Sequence, residues 1–284
     1  MKFTKAQGLG NDFIIVEEKD VPAQTDSFSD MSLKICNRHY GVGADGMLLI
    51  FPHVTKRGAY FLRIFNSDGT EAETSGNGLR CCAAFLFHRG LVKTPKVEIT
   101  TQSGWCQLEL LSHHAHRYSF IADMGNPVLA PDSIPFKSPD GTDRVVNFPL
   151  PIGNSSLPIT AVSMGNPHCV LFFESLEGIP VRDLGPVVEN HPLFPNKTNV
   201  EFVQVLNKEE MIVVFWERGA GETLSSGTGA SAAATAAMVQ GLVGESVTIH
   251  AAGGDMLVEW HQGEPLFVTG PAEIVFDGAW PDPS

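Results

Sequence analysis

The chain has 284 residues, of which 43% are hydrophobic and 18% are charged, a globular composition with enough apolar material for one large domain or two ordinary ones. Its 32 acidic residues outnumber its 19 basic residues, and the formal net charge of -13 argues against nucleic acid as a partner, because such a surface repels phosphate backbones. No apolar run approaches the ~20 residues of a membrane helix, and the N-terminus lacks the apolar core of a signal peptide, so we expect a cytoplasmic protein with no membrane partner.

The first half of the chain reads as strands with two helices. Strand patterns occur at residues 14–17, 47–51, 60–65, 97–101, 105–111 and 118–122. A short helix is predicted over residues 28–37, with Ser29 or Asp30 as its N-cap. The apolar run at residues 79–87 lacks proline and predicts a buried helix that ends near residues 89–90.

The second half repeats this order after a proline-rich stretch at residues 123–158, which is the best candidate for a crossing between domains. Strand patterns follow at residues 199–205, 211–216, 246–250, 256–260, 266–269 and 272–276. The alanine-rich run 230–239 predicts a second buried helix, and residues 272–276 are expected to return to the first half.

Two Ser-Gly-x-Gly turns begin the buried helices, at residues 74–78 and 225–229. A glycine-rich turn that opens a buried helix presents free backbone N–H groups at the positive end of the helix dipole, which favours anion binding. Two such turns in one chain suggest that both helix N-termini serve one ligand.

Further marks match in the two halves. A Gly-Asn loop containing Asn11 precedes an apolar strand in the first half, and one containing Asn166 does so in the second. Asn66 precedes the first Ser-Gly turn by the same number of residues as Glu217 precedes the second. We therefore predict two related domains, residues 1–125 with 272–284, and residues 126–271.

The predicted fold class is α+β, with two pseudo-symmetric domains that each wrap a curled, mainly antiparallel sheet around a central helix. The active site is expected in the cleft between the domains. A doubly wound parallel sheet is disfavoured, because strand–helix alternation fails over residues 97–122.

The residues near these marks favour an amphoteric ligand such as an amino acid with a polar tail. Asparagine binds carboxylate and ammonium groups through hydrogen bonds, Arg218 binds a carboxylate in bidentate fashion, and Glu217 accepts an ammonium. Taken singly, each asparagine is also an ordinary turn residue, and His168 is also an ordinary buried histidine. No His/Cys cluster has zinc spacing, no Rossmann unit follows the glycines, and the five cysteines read as small buried thiols.

The combined motifs resemble the diaminopimelate epimerase family over nearly the whole chain. The segments that carry the resemblance are residues 8–13, 41–46, 65–69, 76–81, 165–170, 199–202 and 217–223. The resemblance implies a cofactor-independent epimerase of L,L- and meso-diaminopimelate, a homodimer, no pyridoxal phosphate and no metal. It implies that His168 and Glu217 tune the catalytic pair. The substrate contacts that we expect are Asn11, Asn66, Gly76, Asn77, Asn166, Asn199, Glu217, Arg218, Gly227 and Thr228.

The chain departs from the family pattern at the catalytic pair. The family places a cysteine directly before Gly-Asn-Gly and another before Gly-Thr-Gly, and these positions hold Ser75 and Ser226 here. A thiol with a pKa of ~8.5 is ionised to a few per cent at neutral pH, whereas an alcohol offers almost no alkoxide. Ser75 and Ser226 are therefore expected to transfer protons poorly unless His168 or another base activates them.

Two explanations of the serines stay open: they were introduced by design, or they are native to a family member with reduced or altered activity. Two alternative functions also stand beside the epimerase. One is a racemase or dehydratase of another amino acid on the same fold, and the other is a non-catalytic amino-acid-binding protein. Asn199 with Glu217 and Arg218 favours diaminopimelate, because these residues suit a second charged end.

Overall fold

The computed structural model describes residues 1–23, 25, 27–56, 58–138 and 141–281. Within these ranges the α-helices are α1 Phe28–Ile35, α2 Gly76–His88, α3 Val181–Glu189 and α4 Gly227–Val239. The strands are β1 Lys2–Gly8, β2 Asn11–Glu17, β3 Gly46–Pro52, β4 Tyr60–Asn66, β5 Glu71–Ala72, β6 Lys96–Thr101, β7 Gly104–His114, β8 Arg117–Asp123, β9 Phe148–Ile152, β10 Ser155–Ser163, β11 Pro167–Phe173, β12 Asn199–Val205, β13 Glu210–Glu217, β14 Gly221–Thr223, β15 Ser246–Ala251, β16 Gly254–Glu259 and β17 Phe267–Ala279. Two short 3₁₀ turns are Glu18–Asp20 and Pro131–Ser133.

The chain divides into two compact units. Unit 1 comprises Met1–Ala122 with Thr269–Ser284, and unit 2 comprises Asp123–Val268. None of the helices in the described ranges is long and apolar enough to span a membrane.

The two units share one strand topology. In unit 1, β1 is antiparallel to β2, β2 parallel to β3, β3 antiparallel to β4, β4 antiparallel to β5 and parallel to β6, and β6 antiparallel to β7. Unit 2 repeats these relations in the same order with β10, β11, β12, β13, β14, β15 and β16. The predicted α+β, pseudo-symmetric and mainly antiparallel architecture is confirmed.

Each unit packs its long helix against its own sheet. Helix α2 contacts β1, β2 and β3, and α4 contacts β10 to β13 as well as β15 and β16. Helix α4 is apolar around its whole circumference, and its alanines from Ala230 to Ala237 are fully buried, which is typical of a helix inside a core. The prediction of one buried helix in each half is confirmed.

The predicted N-cap of α1 is wrong. Helix α1 begins after Ser27, whose backbone is extended and whose Oγ accepts a hydrogen bond from Asp30 N at 3.2 Å. Ser29 and Asp30 instead lie in the first turn. Ser27, Ser29 and Asp30 are all suitable N-cap residue types, but Ser29 Oγ donates to Gly69 O at 2.7 Å instead of capping the helix.

Other corrections concern proline and the last strands. The proline-rich stretch belongs to unit 2, where it forms β9 and the start of β10, with residues 139 and 140 outside the described ranges. Pro149 and Pro151 alternate along β9, so both missing N–H groups fall on one side of the strand. Helix α3, with Pro186 inside it, was not predicted, and the two predicted strands at residues 266–276 form the single strand β17.

Candidate active site

The sheet of unit 1 aligns the ends of the strands that carry its predicted polar residues. Phe13 on β2 pairs with Gly46 on β3, and Gly46 pairs with Asn66 on β4. This register places Asn11, at the start of β2, at the same sheet edge as Asn66. The amide of Asn66 stays in its own turn, where it donates to Thr70 Oγ1 at 2.9 Å.

Asn11 and Asn77 come together in unit 1. Asn77 Nδ2 donates to Asn11 Oδ1 at 3.4 Å, and Asn11 Nδ2 donates to Asp45 Oδ2 at 3.0 Å. Asn77 Oδ1 accepts a hydrogen bond from the guanidinium of Arg80. The two amides therefore form one chain of hydrogen bonds with a carboxylate at one end and a guanidinium at the other.

The sheet of unit 2 brings a matching set together. His168 on β11 pairs with Asn199 on β12, and Glu217 ends the neighbouring strand β13. Asn199 Oδ1 accepts from the backbone N–H of Arg218 at 2.9 Å, and its Nδ2 donates to Pro167 O at 2.9 Å. Asn199 thus fixes the turn that follows Glu217.

His168 lies in a buried hydrogen-bond chain. Its Nδ1 is 2.7 Å from Glu201 Oε1, and its Nε2 is 2.9 Å from Asn166 Oδ1. Asn166 Nδ2 in turn donates to Thr228 Oγ1 at 3.5 Å. Burial raises the pKa of Glu201, so this carboxyl holds a proton more readily than usual.

The two serines are the N-caps of the buried helices. Ser75 Oγ accepts from Gly78 N at 3.1 Å, and Ser226 Oγ accepts from Gly229 N at 3.2 Å, with both serines in extended backbone. Their side chains satisfy one N–H group of each first turn, and the other N–H groups there have no intrahelical partner. Each unit thus offers a helix N-terminus suited to an anion.

Ser226 also contacts a carboxyl. Its Oγ donates to Glu217 Oε2 at 3.4 Å, and burial raises the pKa of Glu217. Glu217 is therefore the group in hydrogen-bond contact with the serine in unit 2. His168, in contrast, uses its two ring nitrogens on Glu201 and Asn166.

The turn that carries Glu217 and Arg218 rests on a buried carboxylate. Glu189 Oε2 accepts from the indole N–H of Trp216 at 2.8 Å, and its Oε1 accepts from the backbone N–H of Gly219 at 3.2 Å. Arg218 itself is exposed and donates from Nη1 to a backbone carbonyl at 2.9 Å. Hydrogen bonds to Glu189 therefore hold Trp216 and Gly219, the residues on either side of Glu217 and Arg218.

The buried cysteines offer no substitute for the serines. Cys36, Cys81, Cys82 and Cys169 are buried, which confirms the prediction for these four, and Cys106 is half-buried. Burial raises the pKa of Cys81 to about 12 and that of Cys82 and Cys169 well above the ordinary value. These thiols stay protonated at neutral pH.

Four charged residues of these networks escaped the sequence analysis: Asp45, Arg80, Glu189 and Glu201. Arg80 and Glu201 carried a usable signal, because each is an isolated charge in an otherwise apolar run of helix or strand. Asp45 and Glu189 carried none, since only the fold brings them to their partners.

Sequence comparisons with known proteins point to one family. The model of the family described as diaminopimelate epimerase matches residues 3–130 and 160–275. The diaminopimelate epimerase of Pelotomaculum thermopropionicum is 46% identical over 281 residues, covering 99% of each chain. That of Halothermothrix orenii is 43% identical over 278 residues, covering 98% of this chain and 97% of its own.

Solved structures share the fold at low identity. A predicted epimerase from Pseudomonas aeruginosa aligns with a TM-score of 0.70 at 16% identity, covering 98% of each chain. A hydroxyproline epimerase from Agrobacterium vitis aligns with a TM-score of 0.69 at 14% identity, covering 98% of this chain and 91% of its own.

Proposed function

The chain belongs to the diaminopimelate epimerase family, and from this membership we propose that it is an isomerase that binds diaminopimelate and exchanges its α-proton. The reaction interconverts the L,L and meso forms, in the synthesis of lysine and peptidoglycan precursors, with no cofactor and no metal. The observation that carries the proposal is the same polar arrangement in both units: a serine-capped, glycine-rich helix start beside a paired asparagine.

The ligand chemistry suits this arrangement. Diaminopimelate is an amino acid at both ends, so it presents two carboxylates and two ammonium groups. The first turns of α2 and α4, from Gly76 and Gly227 onward, supply backbone N–H donors for a carboxylate. Arg218 supplies a bidentate site for another, and Glu217 accepts an ammonium.

Serine limits the proton transfer. We propose that Ser75 and Ser226 occupy the base and acid positions, where an alcohol gives far less anion than a thiol at neutral pH. In unit 2, Ser226 Oγ can take the α-proton only as its own proton passes to Glu217 Oε2, 3.4 Å away. Because this transfer needs a carboxylate, and burial raises the pKa of Glu217, the exchange should strengthen as the pH rises.

The family membership also supports a homodimer and a cytoplasmic protein as parts of the proposal. Light scattering on the purified chain tests the dimer directly. A mass of one chain at the concentration of the activity assay counts against it.

The experiment that tests the proposed function is proton NMR of L,L-diaminopimelate in deuterated water. The chain is compared with the Ser75→Cys/Ser226→Cys variant and with Ser155→Cys, which places a thiol on the exposed part of β10. We expect fast loss of the α-proton signal with the double variant, slow loss with the unchanged chain, and no acceleration by Ser155→Cys.

Two outcomes lead elsewhere. If the double variant exchanges no α-proton of diaminopimelate but exchanges that of hydroxyproline, the chain is a racemase or dehydratase of another amino acid. If every variant binds diaminopimelate and none exchanges a proton, the chain is an amino-acid-binding protein.

A further inference from the structure

Arg80 is a buried cation in α2 that has no carboxylate partner among the described residues. Its side chain is 0% exposed, and no described carboxylate lies within ion-pair distance of it. Burial lowers its pKa to about 10, which leaves it protonated at neutral pH. An unpaired buried charge is costly, so a fold gains nothing by keeping one unless the group has another use.

The repeat shows that the fold does not require arginine here. The fifth residue of α2 is Arg80, and the fifth residue of α4 is Ser231. Ser231 is equally buried and donates only to the carbonyl of Gly227, within its own helix, at 2.9 Å. The equivalent place in the same topology is therefore filled by a small neutral side chain.

The contacts of Arg80 point toward the candidate site. Its Nε donates to Pro271 O at 3.2 Å, and its Nη2 donates to Asn77 Oδ1. Its Nη1 is buried and has no hydrogen-bond partner among the described residues. The guanidinium also packs on Gly270, where a Cβ would lie 3.0 Å from Cζ, so the side chain has little room to turn.

The chain of amides that starts at Arg80 has only one consistent orientation. A guanidinium only donates, so Asn77 must present Oδ1 to it and Nδ2 to Asn11. A carboxylate only accepts, so Asn11 must present Nδ2 to Asp45 and Oδ1 to Asn77. The orientation that Arg80 requires at one end is thus compatible with the orientation that Asp45 requires at the other end, and both amides are fixed.

The Asp45 end is anchored as firmly as the Arg80 end. Asp45 Oδ1 accepts from Arg38 Nη2 at 2.7 Å, and Asp45 Oδ2 accepts from the backbone N–H of Asp12 at 3.0 Å. Arg38 in turn contacts Asp12 Oδ1 at 2.7 Å. The carboxylate therefore cannot rotate away without breaking several charge-assisted hydrogen bonds.

We propose that Arg80 is a positioning residue of the ligand site, which orients the amide of Asn77, and through it that of Asn11, with Asp45 fixing the opposite end. The inference rests on the proposed function, in which both asparagines bind diaminopimelate. An amide that can flip can present its oxygen to a ligand carboxylate, whereas an amide held in this orientation presents its N–H donors.

The first test reads the orientation without any ligand. The side-chain amide signals of Asn77 and Asn11 are recorded by ¹H–¹⁵N NMR on asparagine-labelled protein and assigned by their loss in Asn77→Ala and Asn11→Ala. We expect Arg80→Met to shift the Asn77 signals and Arg89→Lys, at the far end of the same helix, to leave them in place. Unmoved Asn77 signals in Arg80→Met overturn the proposal.

The second test measures binding of meso-diaminopimelate by calorimetry. We expect Arg80→Met to raise Kd about tenfold, because ligand binding must then hold the amide of Asn77 in place without its charge-assisted hydrogen bond, and we expect Arg80→Lys to recover most of the affinity. In the Asn77→Ala background the effect of Arg80→Met should shrink to less than about twofold. An equal loss of affinity with and without Asn77 means that Arg80 serves only the fold, which overturns the proposal.

Two further cases need separate treatment: a variant that does not fold, and an unchanged protein that does not bind diaminopimelate. Should Arg80→Met fail to fold, Asp45→Asn at the half-exposed end tests the same chain, and it must shift the Asn11 amide signals. Should the unchanged protein not bind diaminopimelate, the proposed function fails, and the NMR test alone decides whether Arg80 orients the amides.

Discussion

Placing cysteine at the two helix starts is expected to raise activity and to lower stability in the same protein. Ser75 and Ser226 each cap a helix through Oγ, at 3.1 Å from Gly78 N and 3.2 Å from Gly229 N. Sulfur is a weak hydrogen-bond acceptor, so Ser75→Cys and Ser226→Cys each lose the cap.

The size of the loss follows from capping energetics. Removing a serine N-cap costs about 1 kcal/mol, and the two caps lie on different helices of different units, so the effects add to about 2 kcal/mol. The larger sulfur adds to the cost at Ser226, which is only 5% exposed.

Urea unfolding measures this loss as a lower midpoint with an unchanged slope. Ser75→Asn is the matched control, because asparagine caps a helix as well as serine does and should keep the stability of the unchanged chain. Ser75→Ala should lose as much as Ser75→Cys. Cysteine and alanine variants as stable as the unchanged chain would show that the serine caps do not support the helices.

Three other predictions use the same unfolding assay. Burial raises the pKa of Glu217, so ionisation of this group above the ordinary glutamate pKa of 4.5 lowers the stability of the folded chain. Glu217→Gln should therefore gain stability relative to the unchanged chain as the pH rises from about 4 to about 7. An identical pH profile for the two proteins contradicts this. A Cβ at Gly229 would lie 2.8 Å from Phe215 Cδ1, whereas the nearest atom to a Cβ at Gly78 would be 3.2 Å away. Gly229→Ala should therefore lower the free energy of unfolding by about 1–3 kcal/mol, and Gly78→Ala should lower it much less. Equal losses in the two variants refute the steric argument. Glu189→Ala leaves the indole N–H of Trp216 and the backbone N–H of Gly219 without this acceptor and should lower the free energy of unfolding by about 1–3 kcal/mol. It should also weaken the binding of diaminopimelate, measured by calorimetry. Unchanged affinity shows that the turn after Glu217 holds without Glu189.

Local pattern predicts the repeated elements well, because each depends on short-range chemistry. The buried helices begin at glycine-rich turns with a capping serine, and the apolar runs that follow are long, lack proline and favour a helix. Strands β6 and β8 alternate buried and more exposed residues, and together with β7 they form the predicted antiparallel meander. Proline misleads in β9 and α3, since its tolerance at an edge strand or inside a short helix depends on which neighbours need its N–H group.

Sequence also predicts which residue types gather at each helix start, and it fails on how they are held. Nothing local to Asn11 indicates that Asp45 anchors it, and nothing local to His168 indicates Glu201. These contacts join residues brought together only by strand register, so their discovery requires the fold. A capping role for Ser75 and Ser226 is predictable from sequence, because serine directly before a helix is a common N-cap.

The order in which the units become complete during synthesis follows from strand β17. Unit 2 is a continuous segment, whereas unit 1 needs residues from Thr269 onward, which the ribosome makes after all of unit 2. Until then β1 lacks β17, its antiparallel partner along almost its whole length. Unit 2 can therefore fold as it emerges, while unit 1 keeps an open strand edge until β17 has been made, and an open edge can pair with the wrong strand.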